Sequence, residues 1–437
     1  MTSKDTKKTT AKKSTQTVKK VREIVKTIYS DAHKAKEEGK TIAYCMVGCQ
    51  YDEILRAMDI VPVWTENYAG LSAAKRDAEQ YLVKAEADGY SNLICGYVRA
   101  GLGFDALRAE LGEIPPDSPD GGMTMPDMLL GCSTMCDPRF KWYQALGHYM
   151  EVPTFSFDVL WPAVDADYKK SYEFYVQYQL EQFKELIAFL EDNSGEKMDY
   201  DRLSEIISLA DETYRVWWDC YQLRKAIPSP MPSEDHFNAF VPAFFKLGTE
   251  EALGFYKELY AEVKERVDNK IGAIPDEKFR LLWGGGLPPW HTMWMFNYFE
   301  NLGGVFVIEN AYRPWDPIEI SKSVTDPLER LARRTLGRLT DRYDKAQKRS
   351  GDAQVEVLLD LVEDYSVDGI VMHASKSCRA STIGQVSLKT RLQDYVDVPT
   401  IQLISDIIDV RDYSETEWKM NIDAFAEAVF HSVEAKK

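Results

Sequence analysis

Apolar positions along this chain repeat with two different periods, and the alternation between them outlines the fold. Val21, Ile24, Val25, Ile28 and Tyr29 recur at the spacing of one helical face. Residues 41–47 form a buried-strand run that ends at Gly48, and residues 51–58 return to helical spacing. Val61-Pro62-Val63-Trp64 opens another short strand, and a polar helix is predicted over about 73–87. Cys95 closes a short apolar run where a loop should begin. The stretch from Pro115 to Pro126, rich in Pro, Gly and Asp, reads as a loop. Residues 128–131 form a buried strand, 132–137 the turn after it, 140–149 a helix and 152–157 a strand. Strand and helix in alternation predict a parallel sheet with helices on its faces.

From about Tyr168 to Asp268 strand signals vanish, and helical periodicity, as in Phe183, Leu186, Ile187 and Leu190, is broken once at residues 227–232. After Pro275 the first texture returns. Strands are predicted at 279–283, 305–309, 369–373 and 398–404, helices at 291–302 and 386–395, and a long charged helical stretch over 327–364. Each half opens strand, Gly, helix, strand. Each later runs a buried strand into a Cys-bearing turn, then a helix, then Val-Pro-Thr (152–154 and 398–400). The expected fold class is therefore α/β: two Rossmann- or flavodoxin-like parallel-sheet domains related by an internal duplication, with a helical insertion. The expected segments are a disordered basic arm (1–20), a first α/β domain (21–167), the insertion (168–274) and a second α/β domain (275–437).

A formal net charge of −17 argues against nucleic acid as the main partner, because phosphate binding needs a basic face. No apolar run reaches the ~20 residues that span a bilayer. The Lys-rich N-terminus lacks the apolar core of a secretory signal, so a cytoplasmic protein with a solvated arm is expected. Seven cysteines, an odd number, do not suggest a disulfide framework. Any one of them alone reads as a buried inert thiol. Their placement says more. Cys136 and Cys378 follow strands in corresponding turns of the two halves, and with Cys95 they can converge at the domain junction. Soft thiolates select iron–sulfur or zinc. By spacing alone, a metal centre and structural thiols both remain open, and Cys132-x-x-x-Cys136 is too common a pattern to decide.

Four segments carry a resemblance. They are Cys95-Gly96-Tyr97-Val98-Arg99-Ala100; Pro126-Asp127-Met128-Leu129-Leu130 through Cys136 to Lys141-Trp142; Gly284-Gly285-Gly286-Leu287-Pro288-Pro289-Trp290; and Ser375-Lys376-Ser377-Cys378 with Gly384-Gln385. In this order they resemble the benzoyl-CoA reductase and 2-hydroxyacyl-CoA dehydratase family, and within it the larger cluster-bearing reductase subunit. The resemblance implies a [4Fe–4S] cluster on Cys95, Cys136 and Cys378, with Cys132 a neighbour. It implies an ATP-dependent oxidoreductase that passes single low-potential electrons into an aromatic acyl-CoA thioester to give a cyclic diene. The implied partners are a smaller homologous cluster-bearing subunit and an ATP-hydrolysing iron–sulfur activator. The alternatives are a dehydratase subunit, in which a ketyl radical expels hydroxyl, and a non-catalytic electron relay. One departure stands out: the family often has a Glu two residues before Asp406-Ile407-Ile408-Asp409-Val410-Arg411, where this chain has Ile404.

His291, at a helix start after the Pro-Pro-Trp turn, is a candidate proton donor, or else a helix-start His with a satisfied hydrogen bond. Gly285, Gly286 and Trp290 are candidate substrate-binding residues, the glycines permitting close backbone approach. Trp283, Trp290, Trp294 and Phe296 either wall an aromatic pocket or fill the core. His373 either hydrogen-bonds a cluster sulfur or is structural. The chain has neither G-x-x-x-x-G-K-[ST] nor a full G-x-G-x-x-G after a strand, which argues against a nucleotide-hydrolysing site.

Overall fold

The computed structural model describes residues 11–160 and 168–436. The first half contains strands β1 (Ile42–Cys45), β2 (Val61–Trp64), β3 (Met128–Cys132) and β4 (Thr154–Phe157). Its helices are α1 (Val21–Glu37), α2 (Asp52–Ala57), α3 (Thr65–Ala74), α4 (Ala78–Ala87), α5 (Gly96–Leu111) and α6 (Asp137–Met150). A helical segment follows: α7 (Tyr168–Ser194), α8 (Tyr200–Leu223), α9 (Ser233–Ala239), α10 (Val241–Phe245) and α11 (Glu250–Asp268). The second half contains β5 (Phe279–Gly285), β6 (Gly304–Glu309), β7 (Gly369–Ser375) and β8 (Thr400–Ser405). Its helices are α12 (Trp294–Asn301), α13 (Pro327–Lys348), α14 (Ala353–Asp364), α15 (Arg379–Thr382), α16 (Gln385–Gln393) and α17 (Glu415–Ala435).

Both sheets are parallel and four-stranded, with orders β2-β1-β3-β4 and β6-β5-β7-β8, so the two halves share one topology. The match extends to single hydrogen bonds. Asp127 N–H donates to Ile42 O at 2.8 Å while its carboxylate accepts from Ile42 N–H at 2.8 Å. Asp368 repeats this on Arg280 at 2.8 and 2.9 Å. The Val-Pro-Thr repeat has a structural basis too: Leu129 N–H donates to Pro153 O and Ile370 N–H to Pro399 O, each at 2.9 Å. The inner strands β3 and β7 are buried along their whole length, as expected of sheets covered on both faces. Trp283, Phe296, Phe299, Phe306 and Trp418 form a second core under the second sheet.

Several expectations change. Cys95 follows no strand and opens no loop; it is the residue before α5, whereas Cys136 and Cys378 lie in the turns after β3 and β7, so what all three share is a place directly before a helix. Helix α3, with little amphipathic contrast, is not visible as a period in the sequence. The insertion breaks more than once, at Gly195 (φ 77°) and Gly248 (φ 77°) as well as at 227–232. The stretch 327–364 is two helices, parted where Gly351 (φ 68°) turns the chain and Asp352 caps α14. Residues 1–10 of the arm lie outside the described residues. Residues 11–20 are docked, not free: Thr15 N–H donates to Asp235 at 2.7 Å, and Gln16 and Thr17 donate to Glu262 at 2.7 and 2.9 Å. The expected boundary near 167 also falls outside the described residues. No described helix is long and apolar enough to cross a membrane.

Candidate functional site

Cys95, Cys136 and Cys378 each immediately precede a helix: α5, α6 and α15. Two of the helix starts have identifiable causes. Gly96 is obligatory, because a Cβ there would meet Asp406 Oδ1 at 2.6 Å and Ile408 Cβ at 2.9 Å. In α6, Asp137-Pro138 puts an acid and a pre-set φ in the first turn. The flanking residues then tie the three turns together. Gly96 N–H donates to Ser377 Oγ at 3.0 Å, joining the Cys95 and Cys378 segments across the two halves. Arg379 reaches Asp137 at 3.4 Å, joining the Cys378 and Cys136 segments.

Asp406 is the hub of this seam. Its buried carboxylate accepts from Ile408 N–H (2.9 Å), Asp409 N–H (3.0 Å), Ser375 Oγ (3.3 Å), Ser377 N–H (3.3 Å) and the Ser377 hydroxyl. Beside it, buried Arg99 bridges Glu86 at 2.8 Å and Asp409 at 3.1 Å, and Arg411 pairs with the same two acids. Burial alone would raise the Asp409 carboxyl, but hydrogen bonds from Arg411 lead the opposing effects and hold it at about 2.

The three thiols stand in one another's electrostatic field. Burial raises the Cys95 thiol well above its usual range, and negative charge on Cys378 and Cys136 raises it further. Burial likewise raises Cys136, against the pull of the Arg139 backbone N–H and guanidinium. Backbone N–H groups of Val98 and Tyr97 favour the Cys95 thiolate, the usual help from a helix start. Among the described residues, no three His, Cys, Asp or Glu side chains close on a point the size of a single ion. Three soft thiols, partly exposed, near enough to raise one another electrostatically and aided by helix N–H groups, are a donor set chemically suited to an iron–sulfur cluster.

A polar, aromatic wall lies next to them. Trp290 Nε1 donates to the Tyr97 hydroxyl. Tyr312 stacks on Phe240 at 4.5 Å, lies in the field of Cys378 and hydrogen-bonds Tyr97. Burial raises both phenols above their ordinary range. Glu66 accepts from Val47 N–H at 2.7 Å and pairs with Arg139 at 3.2 Å. Arg139 also donates to Cys49 Sγ at 3.2 Å. A hydrogen bond from the Cys49 thiol lowers buried Cys132 to about 7, with Thr134 Oγ1 3.0 Å away.

The remaining sequence candidates fall in distinct places. Trp290 belongs to the wall. Gly286 (φ 68°) and Gly285 turn the chain tightly against the Cys378 half: added Cβ atoms would meet His373 O at 2.7 Å and Gln385 Nε2 at 3.0 Å. His291 is buried, with Nε2 3.0 Å from Asp406 O and Nδ1 without a partner. Trp283 and Phe296 pack in the second core, and Trp294 donates to Tyr413. His373 is held between Leu287 O at 2.5 Å and Ser405 Oγ at 2.8 Å, an arrangement of structural bonds. Sequence reading missed Glu66, Arg139, Tyr312 and the hub role of Asp406. Asp406 alone carried a signal, as the first acid of the Asp-x-x-Asp-x-Arg segment.

Residues 51–429 match the family model described as 2-hydroxyglutaryl-CoA dehydratase, D-component, and the chain belongs to that family. Curated relatives extend over nearly the full length. The (R)-phenyllactyl-CoA dehydratase alpha subunit of Clostridium sporogenes is 25% identical over 95% of this chain and 96% of its own. A benzoyl-CoA reductase subunit of Thauera aromatica is 26% identical over 94% of each. The (R)-2-hydroxyglutaryl-CoA dehydratase alpha subunit of Acidaminococcus fermentans is 22% identical over 96% and 98%.

Proposed function

We propose that this chain is the cluster-bearing subunit of an enzyme that transfers single electrons to an acyl-CoA thioester, with benzoyl-CoA reduction to a cyclic diene as its reaction. The observation that carries this reading is the meeting of Cys95, Cys136 and Cys378 at one seam beside the Tyr97–Tyr312–Trp290 wall. A [4Fe–4S] cluster held by these three thiolates would supply low-potential single electrons and an iron not held by a cysteine of this set.

The chain's own residues would do the rest. Tyr97 and Tyr312 stay protonated at neutral pH and can donate hydrogen bonds to a thioester oxygen. Phe240, Trp290 and Tyr312 form flat apolar surfaces suited to an aromatic ring and exclude water from it. His291 is given a positioning role: its Nε2–H donates to the Asp406 carbonyl, and burial lowers its pKa, so the ring is neutral. Leu93, Met135, Ile383 and Val386, all strongly exposed and close in sequence to the three thiols, supply apolar surface beside these turns. Such surface suits the two proposed partners, a smaller cluster-bearing subunit and an ATP-hydrolysing iron–sulfur activator, in a cytoplasmic setting.

A second reading, 2-hydroxyacyl-CoA dehydration, is favoured by the dehydratase names of four relatives. The test is anaerobic turnover of the assembled enzyme with benzoyl-CoA and with 2-hydroxyacyl-CoA thioesters. A diene formed with stoichiometric electron use supports the reductase. Water loss with catalytic electrons transfers the assignment to the dehydratase. No change in either thioester, with a cluster spectrum indifferent to both, would leave only an electron relay and end the proposal.

A further inference from the structure

A cavity of about 260 Å³ lies between the end of α8, residues 313–318, α13 and α14, and none of its lining residues belongs to the cysteine motifs. Five basic side chains line it: Lys225, Arg313, Arg338, Arg342 and Lys345. Both lysines have bonded counter-charges, Lys225 with Asp364 at 2.8 Å and Lys345 with Asp316 and Asp341 at 2.7 and 3.0 Å. Two more acids of the wall, Glu356 and Asp360, are bound to Arg349 at 2.8 Å each.

The three arginines are different. Among the described residues none of them forms an ion pair within bonding distance. Arg313 donates only to the Pro314 carbonyl, at 3.3 Å. The Nε atoms of Arg313 and Arg338 are buried without an acceptor. Aromatic rings hold two guanidiniums in place: Arg342 lies 3.5 Å over Trp315 and Arg338 4.3 Å over Tyr214. Burial lowers Arg342 to about 9, and the charge of Arg313 pushes it the same way. Burial also lowers Arg313 and Arg338. All three still carry charge at neutral pH. Arg338 also hydrogen-bonds Tyr214, but desolvated cations without an ion pair are costly in a structural role. Forked donors converging on one cavity are the chemistry that recognises phosphate.

We propose that this cavity binds a phosphate-bearing ligand through Arg313, Arg338 and Arg342, with Trp315 holding Arg342 in place. Three guanidiniums suit a di- or polyanion rather than a single carboxylate. The cavity also adjoins the thiol site: Tyr312 (φ 55°) faces Cys378's field, and its chain neighbour Arg313 lines the cavity. Phosphates of this kind come from two sources. One is the coenzyme A end of a thioester, an assignment that rests on the acyl-CoA reading above. The other is a free polyphosphate or nucleotide, which does not.

The test is calorimetric titration of the anaerobically purified full chain with pyrophosphate, coenzyme A, 3′-dephospho-coenzyme A and ADP. The variants are Arg313→Gln and Arg342→Gln. Pyrophosphate is expected to bind, and each variant to weaken it by about tenfold or more, the loss expected for a charge-assisted bond. Pyrophosphate should raise the melting temperature of wild type but not of the variants. Unliganded variants should melt no lower than wild type. Tighter binding of coenzyme A than of its 3′-dephospho form assigns the cavity to the coenzyme. Equal binding of ADP assigns it to free nucleotides. Should a variant fail to fold, hydrogen–deuterium exchange on wild type decides: pyrophosphate must protect residues 313–318 and 338–345. The proposal is overturned if none of the four compounds binds, if binding survives both variants undiminished, or if those segments show no protection. Pyrophosphate binding is independent of turnover, so this outcome and that of the thioester assay are separable.

Discussion

Replacing Asp406 by Asn changes a single atom type at the seam that carries the three thiols. In the native arrangement Oδ1 accepts from the Ile408 and Asp409 N–H groups, while Oδ2 accepts from the hydroxyls of Ser375 and Ser377 and from Ser377 N–H. An Asn can keep the first pair through its carbonyl oxygen. Its NH2 then faces the second set. The two hydroxyls can rotate to accept from it, but the Ser377 N–H cannot, and one buried donor is left facing another. An unmet buried donor costs about 1–3 kcal/mol, and weakening of the charge-assisted bonds adds to it, so Asp406→Asn should lose about 3 kcal/mol. Asp406→Ala removes all five bonds and should lose about 5 kcal/mol, at the upper end for one substitution. Urea unfolding of the apoprotein measures both losses, read as a lower midpoint at unchanged slope. Because Ser377 also accepts from Gly96 N–H, the loosened turn should hold iron less well in buffer where the variant is still folded. An Asp406→Asn protein within about 0.5 kcal/mol of wild type and with unchanged iron would refute the account of Asp406 as the hub.

Other expectations follow from the same structure. Cys136→Ser should cut iron and acid-labile sulfide sharply from the roughly four of each expected per chain of a cubane, whereas Cys220→Ser, at a buried thiol far from the seam in sequence, should not. His373 is buried and its pKa is lowered from 6.5 to about 4, chiefly by desolvation. The neutral ring is therefore the stable form, its contribution is complete above pH 6.5, and it is lost as pH falls toward 4. Stability should drop by about 2 kcal/mol between pH 7 and pH 5, and His373→Gln should flatten that slope in parallel urea titrations. Two glycine substitutions should act in opposite directions in thermal melts. Gly103→Ala drives a Cβ to 1.8 Å from the Tyr81 carbonyl oxygen and should cost about 3 kcal/mol. Gly254→Ala, within α11 and with nothing within 4 Å, should gain about 1 kcal/mol.

Most of the architecture was legible because the inner strands of both sheets are short, wholly buried runs, and because the halves repeat. All eight strands fall within a few residues of the sequence reading. What escaped it depends on long-range contacts. Helix α3 has almost no apolar stripe, so no period marks it. The arm from residue 11 to 20 looks solvated because its lysines dominate the composition, yet its backbone N–H groups and Thr17 meet acids more than 200 residues away. The three cysteines could be singled out by place and resemblance. Glu66, Arg139 and Tyr312 could not: Glu66 and Arg139 pair only once the first half has folded, and Tyr312 meets Tyr97 only when the two halves close on each other. For His291 the fold adds what sequence could not supply: Nε2 is bonded to a backbone carbonyl and Nδ1 is without a partner among the described residues.

Two of the three thiols belong to the first half and the third to the second, and between their segments run one backbone–hydroxyl bond and one long, exposed ion pair. An inorganic core gripped by all three would act as a rivet through both lobes, adding its binding energy to their alignment. Stripping it should leave each lobe folded and the two held only by protein contacts such as Arg99–Asp409, Arg411–Glu86 and Trp290–Tyr97, so that oxygen damage would register first as loosened geometry and easier proteolysis at the junction, before any general unfolding.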